Sequence, residues 1–141
     1  MKRTANATWQ GDLKAGTGRV ALGSGAHEGP YSFQSRFEDG AGTNPEELLG
    51  AAHAGCYSMA LALATSQAGH VATRIETTAT VHLGKVDGGM AITGIDLVTE
   101  ATIPGLAEAE FQRLAEETKT GCIISRALAA VPMTLSATLR G

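Results

Sequence analysis

Thr43-Asn44-Pro45-Glu46-Glu47-Leu48-Leu49-Gly50-Ala51-Ala52-His53-Ala54-Gly55-Cys56 opens the stretch that decides the fold. Thr43 or Asn44 can cap a helix, Pro45 suits the first helical position, and Glu46 and Glu47 fall in the first turn beside the positive dipole end. The spacing predicts a helix from Pro45 to about Gln67, stopped by Gly69. Residues 48–64 carry no charge. That stretch is shorter than the ~20 apolar residues a membrane span needs, and Gly50, His53, Gly55 and Ser58 interrupt it. A helix apolar on nearly every face is buried inside a protein. Gly50, Ala51, Ala54 and Gly55 would let another backbone approach closely. A lone domain this small has trouble surrounding such a helix, so a second subunit is expected against it, as a homodimer.

Outward from this helix, residues 6–9, 18–23 and 31–37 read as short strands separated by Gly-rich turns, and residues 38–42 as a polar loop. Beyond it, residues 73–86 and 90–103 alternate as two long strands joined by the Lys85-Val86-Asp87-Gly88-Gly89 turn. Pro104-Gly105 breaks the second strand. Residues 106–119 are amphipathic, with Leu106, Ala109, Phe111 and Leu114 against Glu108, Glu110, Gln112 and Glu116, and predict a surface helix ended by Gly121. A short helix over 125–130 and a last strand over 132–139 follow Cys122. The order is an α+β pattern, and 141 residues without a repeat or linker fit one domain, 1–141.

Eleven Lys and Arg against fourteen Asp and Glu give no electrostatic reason to expect nucleic acid or an anionic membrane as partner. The opening MKRTANATWQ has a basic pair but no apolar run of the secretory kind, so a cytoplasmic chain is expected. The cytoplasm keeps thiols reduced, so two Cys there are either incidental buried thiols or reactive ones.

Cys56 lies within the apolar helix. A thiol in apolar surroundings is normally protonated and inert, so it needs a cation to become a nucleophile. Arg36 and Arg19 stand upstream; each alone reads as an exposed edge charge. Glu46 could grip such an Arg bidentately. Glu46 and Cys56 are ten residues apart, about 15 Å along a helix. They cannot meet within one helix, which is a second reason to expect a dimeric site. His53 precedes Cys56 by three positions and shares its face. It reads as a packed, hydrogen-bonded side chain or a general base. Two ligands are too few for a structural zinc site, and neither metal nor cofactor is expected. Cys122 stands where a short helix begins, a position that favours thiolate. Spacing alone leaves open which Cys attacks first.

Residues 42–56 resemble the osmotically inducible protein C (OsmC) family, related to the organic hydroperoxide resistance proteins. The likeness continues through 31–38, 85–93 and 119–128 and covers nearly the whole chain. The resemblance implies an intertwined α+β homodimer with long buried central helices enclosed by antiparallel sheets. It implies reduction of hydroperoxides with Cys56 as the peroxidatic and Cys122 as the resolving cysteine. An Arg held by a Glu activates the thiolate in that family. The motif matches Glu46 to that Glu and Arg36 to the Arg, with Arg19 the weaker candidate by likeness to the organic hydroperoxide branch. The HAGCYSMAL and VDGGMAIT segments resemble the OsmC branch. One departure stands out: many relatives carry Pro directly after the second Cys, where this chain has Ile123.

The expected chemistry consumes a hydroperoxide, organic ones preferentially, and is reset by an external dithiol, lipoyl groups included. A redox sensor or thiol–disulfide exchange protein without turnover is the alternative.

Overall fold

In the computed structural model, which describes residues 1–141, the chain divides into two units, Met1–Leu48 and Leu49–Gly141. The first unit is a three-stranded antiparallel meander of β1 (Ala5–Gln10), β2 (Thr17–Leu22) and β3 (Glu28–Tyr31). Asp12 shapes the first turn by accepting hydrogen bonds from the Lys14 and Ala15 amides at 2.9 and 2.8 Å. Trp9 and Tyr31 pack at a tilt across the meander, with ring centroids 5.4 Å apart and planes 56° apart. Gly18 lies under both rings: a Cβ there would sit 2.4 Å from Tyr31 and 2.7 Å from Trp9. Only glycine leaves room for this pair.

The expected strand over 31–37 is a correction. The strand stops at Tyr31, and residues Phe33–Phe37 form a short helix, α1. The reason is local. Ser32 Oγ accepts from the Ser35 amide at 3.0 Å and Ser35 Oγ accepts from the Ser32 amide at 2.8 Å. This reciprocal capping box offers the backbone a helical alternative to the sheet ladder.

Helix α2 (Pro45–Gln67) starts where Asn44 Oδ1 accepts from the Glu47 amide at 2.8 Å and is followed by Gly69 at φ +87°. By length and composition alone it could cross a membrane, yet one of its faces is buried in the core of the second unit. Its buried residues Gly50, His53, Tyr57, Leu61 and Thr65 recur every three or four positions, which is one helical face. Met59 and Leu63, on other faces, are 77% and 60% exposed.

The second unit sets α2 against a sheet of β4 (Arg74–Val86), β5 (Gly89–Thr102) and β6 (Met133–Arg140), ordered β4-β5-β6. Asp87-Gly88 closes the β4–β5 hairpin, with Val86 opposite Gly89, and the register shifts between His82 and Leu83. Strand β6 runs parallel to β5, Ile95 opposite Met133 through Thr102 opposite Arg140. The expectation of purely antiparallel sheets is therefore corrected for this one. Helices α3 (Glu108–Gly121) and α4 (Ile123–Ala127) occupy the connection and carry the chain back to the starting end, which a parallel pair requires. Helix α3 buries Phe111, Leu114, Ala115 and Thr118. Tyr57, Leu61, Ile95, Leu97 and Phe111, none of them measurably exposed, form the centre of this core.

Candidate active site

Two groups of side chains carry chemistry, one in each unit. In the first, Arg36 projects from α1 onto the first turn of α2. Its Nη2 donates to Glu46 Oε1 at 2.7 Å, and its Nε donates to Oε1 and Oε2 at 3.1 and 3.2 Å. Glu46 is the more enclosed partner, its side chain 12% exposed against 38% for Arg36. Two backbone anchors hold α1 to the cap of α2: Ser35 Oγ donates to the Thr43 carbonyl at 2.7 Å, and Asn44 Nδ2 donates to the Ser35 carbonyl at 3.1 Å. They fix the guanidinium relative to the carboxylate, so the planar fork is oriented before any ligand arrives. The Arg36 guanidinium also lies 5.2 Å from the centroid of the Phe37 ring. Beside it opens a cavity of about 240 Å³ lined by Trp9, Leu13, Tyr31, Phe33 and Phe37. Four of the chain's six aromatic residues meet there, a concentration the sequence reading missed because they are spread over β1, β3 and α1.

Arg19 is engaged elsewhere. It pairs with Glu28 across β2 and β3 at 3.1 Å, both side chains more than half exposed. Such a pair contributes little and leaves Arg19 on the meander surface.

In the second unit both cysteines are free thiols. Cys56 is half-buried and Cys122 is 2% exposed. Consecutive amides of one helical turn reach the two sulfurs: the Ile124 N–H donates to Cys56 Sγ at 3.5 Å, and the Ser125 N–H donates to Cys122 Sγ at 3.3 Å. Cys122 is thus the N-cap of α4, which begins at Ile123, two residues before the expected start. Ile123 occupies the first helical position and is 75% exposed. That position needs no amide bond, which is why Pro suits it and why Ile can replace Pro without disturbing the cap.

His53, one turn before Cys56, is fully buried. Its Nε2 is 2.7 Å from Ser125 Oγ, which in turn accepts from Cys122 Sγ at 3.0 Å. Burial lowers the His53 pKa from its ordinary value, so the ring stays neutral. Its Nδ1 has no hydrogen-bond partner. Tyr57, next to Cys56, donates its phenol to the Ala115 carbonyl at 3.0 Å. Burial, then Glu116 and Cys122, push its pKa well above the usual tyrosine value, so it remains a neutral donor. No group of three or more His, Cys, Asp or Glu side chains could hold a metal ion.

The structure therefore joins Arg36 to Glu46, and Cys56 to Cys122 through adjacent amides. Ser125 escaped the sequence reading. Its one signal is a serine three residues after a cysteine at a helix start, the spacing of a cap whose side chain can fold back.

The family model described as "OsmC-like protein" matches residues 38–136. The chain is 48% identical over 131 residues to peroxiredoxin OsmC of Escherichia coli strain K12, covering 92% of each. It is 32% identical over 89 residues to an organic hydroperoxide resistance protein of Xanthomonas axonopodis pv. citri, covering 62% of this chain and 61% of that one. Its fold matches the organic hydroperoxide resistance protein OhrB of Bacillus subtilis with a TM-score of 0.73 at 25% identity, over 97% of this chain and 98% of that one. An α+β architecture of one long helix and two three-stranded sheets, carrying these motifs and this likeness, makes the chain a member of the OsmC-like family, on its OsmC rather than its organic hydroperoxide resistance branch.

Proposed function

We propose that the protein is a thiol-dependent peroxidase that reduces hydroperoxides to alcohols, with organic ones preferred. One observation carries the reading. Two free thiols, far apart in sequence, are held by adjacent amides of a single helical turn. A resolving thiol held that close can condense with a peroxidatic one. The similarity to a peroxiredoxin over nearly the full chain supports it.

In this reading Cys56 attacks the distal peroxide oxygen, releases the alcohol and becomes a sulfenic acid. Cys122 condenses with it to a disulfide, and water leaves. An external dithiol, lipoyl groups included, then restores both thiols by exchange. Arg36, held by Glu46, favours the Cys56 thiolate and the negative charge that develops on the peroxide oxygens. The acting unit is a homodimer, and residues 1–141 work in it as one OsmC-like domain. The exposed Met59 and Leu63 of α2 support a second copy packing on that helix. The cytoplasm, where dithiol reductants are plentiful, is its expected place. Apolar surroundings at the site favour an alkyl or aryl group at ~25 cal/mol per Å² buried.

Peroxide consumption assayed with several dithiols tests the proposal. Turnover is expected to be abolished in Cys56→Ser, and kcat/KM to be higher for cumene hydroperoxide than for hydrogen peroxide. Turnover that survives in Cys56→Ser would contradict it.

A further inference from the structure

The peroxidase reading leaves the resolving step without a base. Cys122 is almost wholly buried, and its Sγ donates to a serine hydroxyl, Ser125 Oγ, at 3.0 Å. Yet only a thiolate displaces oxygen from a sulfenic acid efficiently. We infer that Ser125 and His53 form a two-step proton relay that activates Cys122 for this condensation. The inference rests on the proposed peroxidase chemistry and adds two positioning residues to it.

The relay uses one of the two directions that the His53–Ser125 contact allows. Ser125 Oγ accepts the Cys122 thiol proton at 3.0 Å. Its own proton is then free to point along the 2.7 Å contact to His53 Nε2. In the relay His53 takes the tautomer with its lone pair on Nε2 and its proton on Nδ1, the ring nitrogen without a partner. Burial keeps the ring in that neutral form. The Ser125 N–H, 3.3 Å from Cys122 Sγ, remains directed at the sulfur throughout and favours the charge that forms there. The contact gives the buried histidine a polar partner that is itself bonded to the Cys122 thiol. A core histidine placed for packing alone has no need to align with a thiol through that hydroxyl.

The step balances as follows. As the Cys122 sulfur attacks the Cys56 sulfenic sulfur, its proton passes to Ser125 Oγ and the serine proton passes to His53 Nε2. The S–S bond forms and the S–O bond of Cys56 breaks. The Cys56 sulfur is reduced and the Cys122 sulfur oxidised. The proton that leaves Cys122 and the hydroxide that leaves Cys56 together make the one water released.

The ionisable groups near this relay are Cys56 and Tyr57 on α2, with Glu116, Lys119 and Cys122 from α3 and its cap; Lys119 lines the same cavity as Ser125. The sheet meets α2 with apolar and threonine side chains, among them Ala79, Val81, Ile95 and Thr99.

Rapid mixing of the reduced protein with one equivalent of cumene hydroperoxide, quenched and read by mass spectrometry, separates sulfenate formation from disulfide formation. Ser125→Ala keeps the backbone amide at the cap and removes only the relay hydroxyl. Disulfide formation is expected to slow on the order of 100-fold and to rise with pH as the free thiolate does. Sulfenate formation should keep its rate. Ser125→Thr, which retains a hydroxyl, should restore disulfide formation. Independently of any variant, the wild-type disulfide rate should be flat between about pH 6.5 and 8, because the relay replaces bulk deprotonation. A Ser125→Ala protein that forms the disulfide at the wild-type rate, a Thr variant as slow as the Ala variant, or a wild-type rate that climbs with pH would each overturn the relay. Absence of any sulfenate in the wild type would instead sink the peroxidase reading, and the relay with it.

Discussion

Protonating His53 inside the fold is harder than protonating it in the unfolded chain, because the ring is fully buried and its Nδ1 has no partner. Its folded pKa is lowered from the ordinary 6.5. Below about pH 6.5 the unfolded chain therefore binds more protons than the native one, and stability rises with pH in that window. Acidification from about pH 7 to 5 should lower Tm, and His53→Gln should flatten that dependence while losing some stability at neutral pH. A wild-type Tm unchanged over the window would contradict the burial argument. The same scale shows what single residues disclose. The family motif could single out Cys56, Glu46 and Arg36, because it ties each of them to a position in the sequence. Ser125 could not be singled out, because its meaning comes from two side chains that reach it from α2 and from the cap of α4. The aromatic cavity beside Arg36 was hidden for the same reason.

Helix α2 was readable from its ends, where Asn44, Pro45, the two glutamates and Gly69 mark start and stop. Helix α1 was not, since the Ser32–Ser35 capping box outweighed an extended reading of 31–37. The direction of β6 was not either, because it depends on where two helices return the chain and not on the strand's own alternation. The buried face of α2 is closely packed at Gly50, where a Cβ would stand 3.2 Å from the Ala79 carbonyl oxygen and 3.5 Å from Val81 Cγ2. A backbone oxygen cannot swing away as a side chain can. Gly50→Val should overfill the contact and cost about 1–3 kcal/mol, measurable by urea denaturation. A neutral or stabilising result would mean that helix and sheet are less tightly fitted than these distances say. Phe111→Ala, in the centre of the same core, should cost about 3–5 kcal/mol.

The molecule as a whole leaves Met59 and Leu63 of its most apolar helix open to solvent in a single chain. In the proposed homodimer a second copy would cover that surface. Met59→Glu combined with Leu63→Glu should weaken self-association, seen as a shift toward monomer mass in sedimentation. Wild-type protein that sediments as a monomer at micromolar concentration would remove the dimer from the account. Cys56 and Cys122 of one chain are proposed to work as a pair on a hydroperoxide. The most direct measurement adds one equivalent of cumene hydroperoxide per chain to the reduced protein, titrates the remaining thiols and maps the crosslink by peptide mass. The account predicts that both thiols disappear together and that a Cys56–Cys122 disulfide forms within each chain. Two thiols still free, or a disulfide joining Cys56 to Cys56 of the partner subunit, would contradict it.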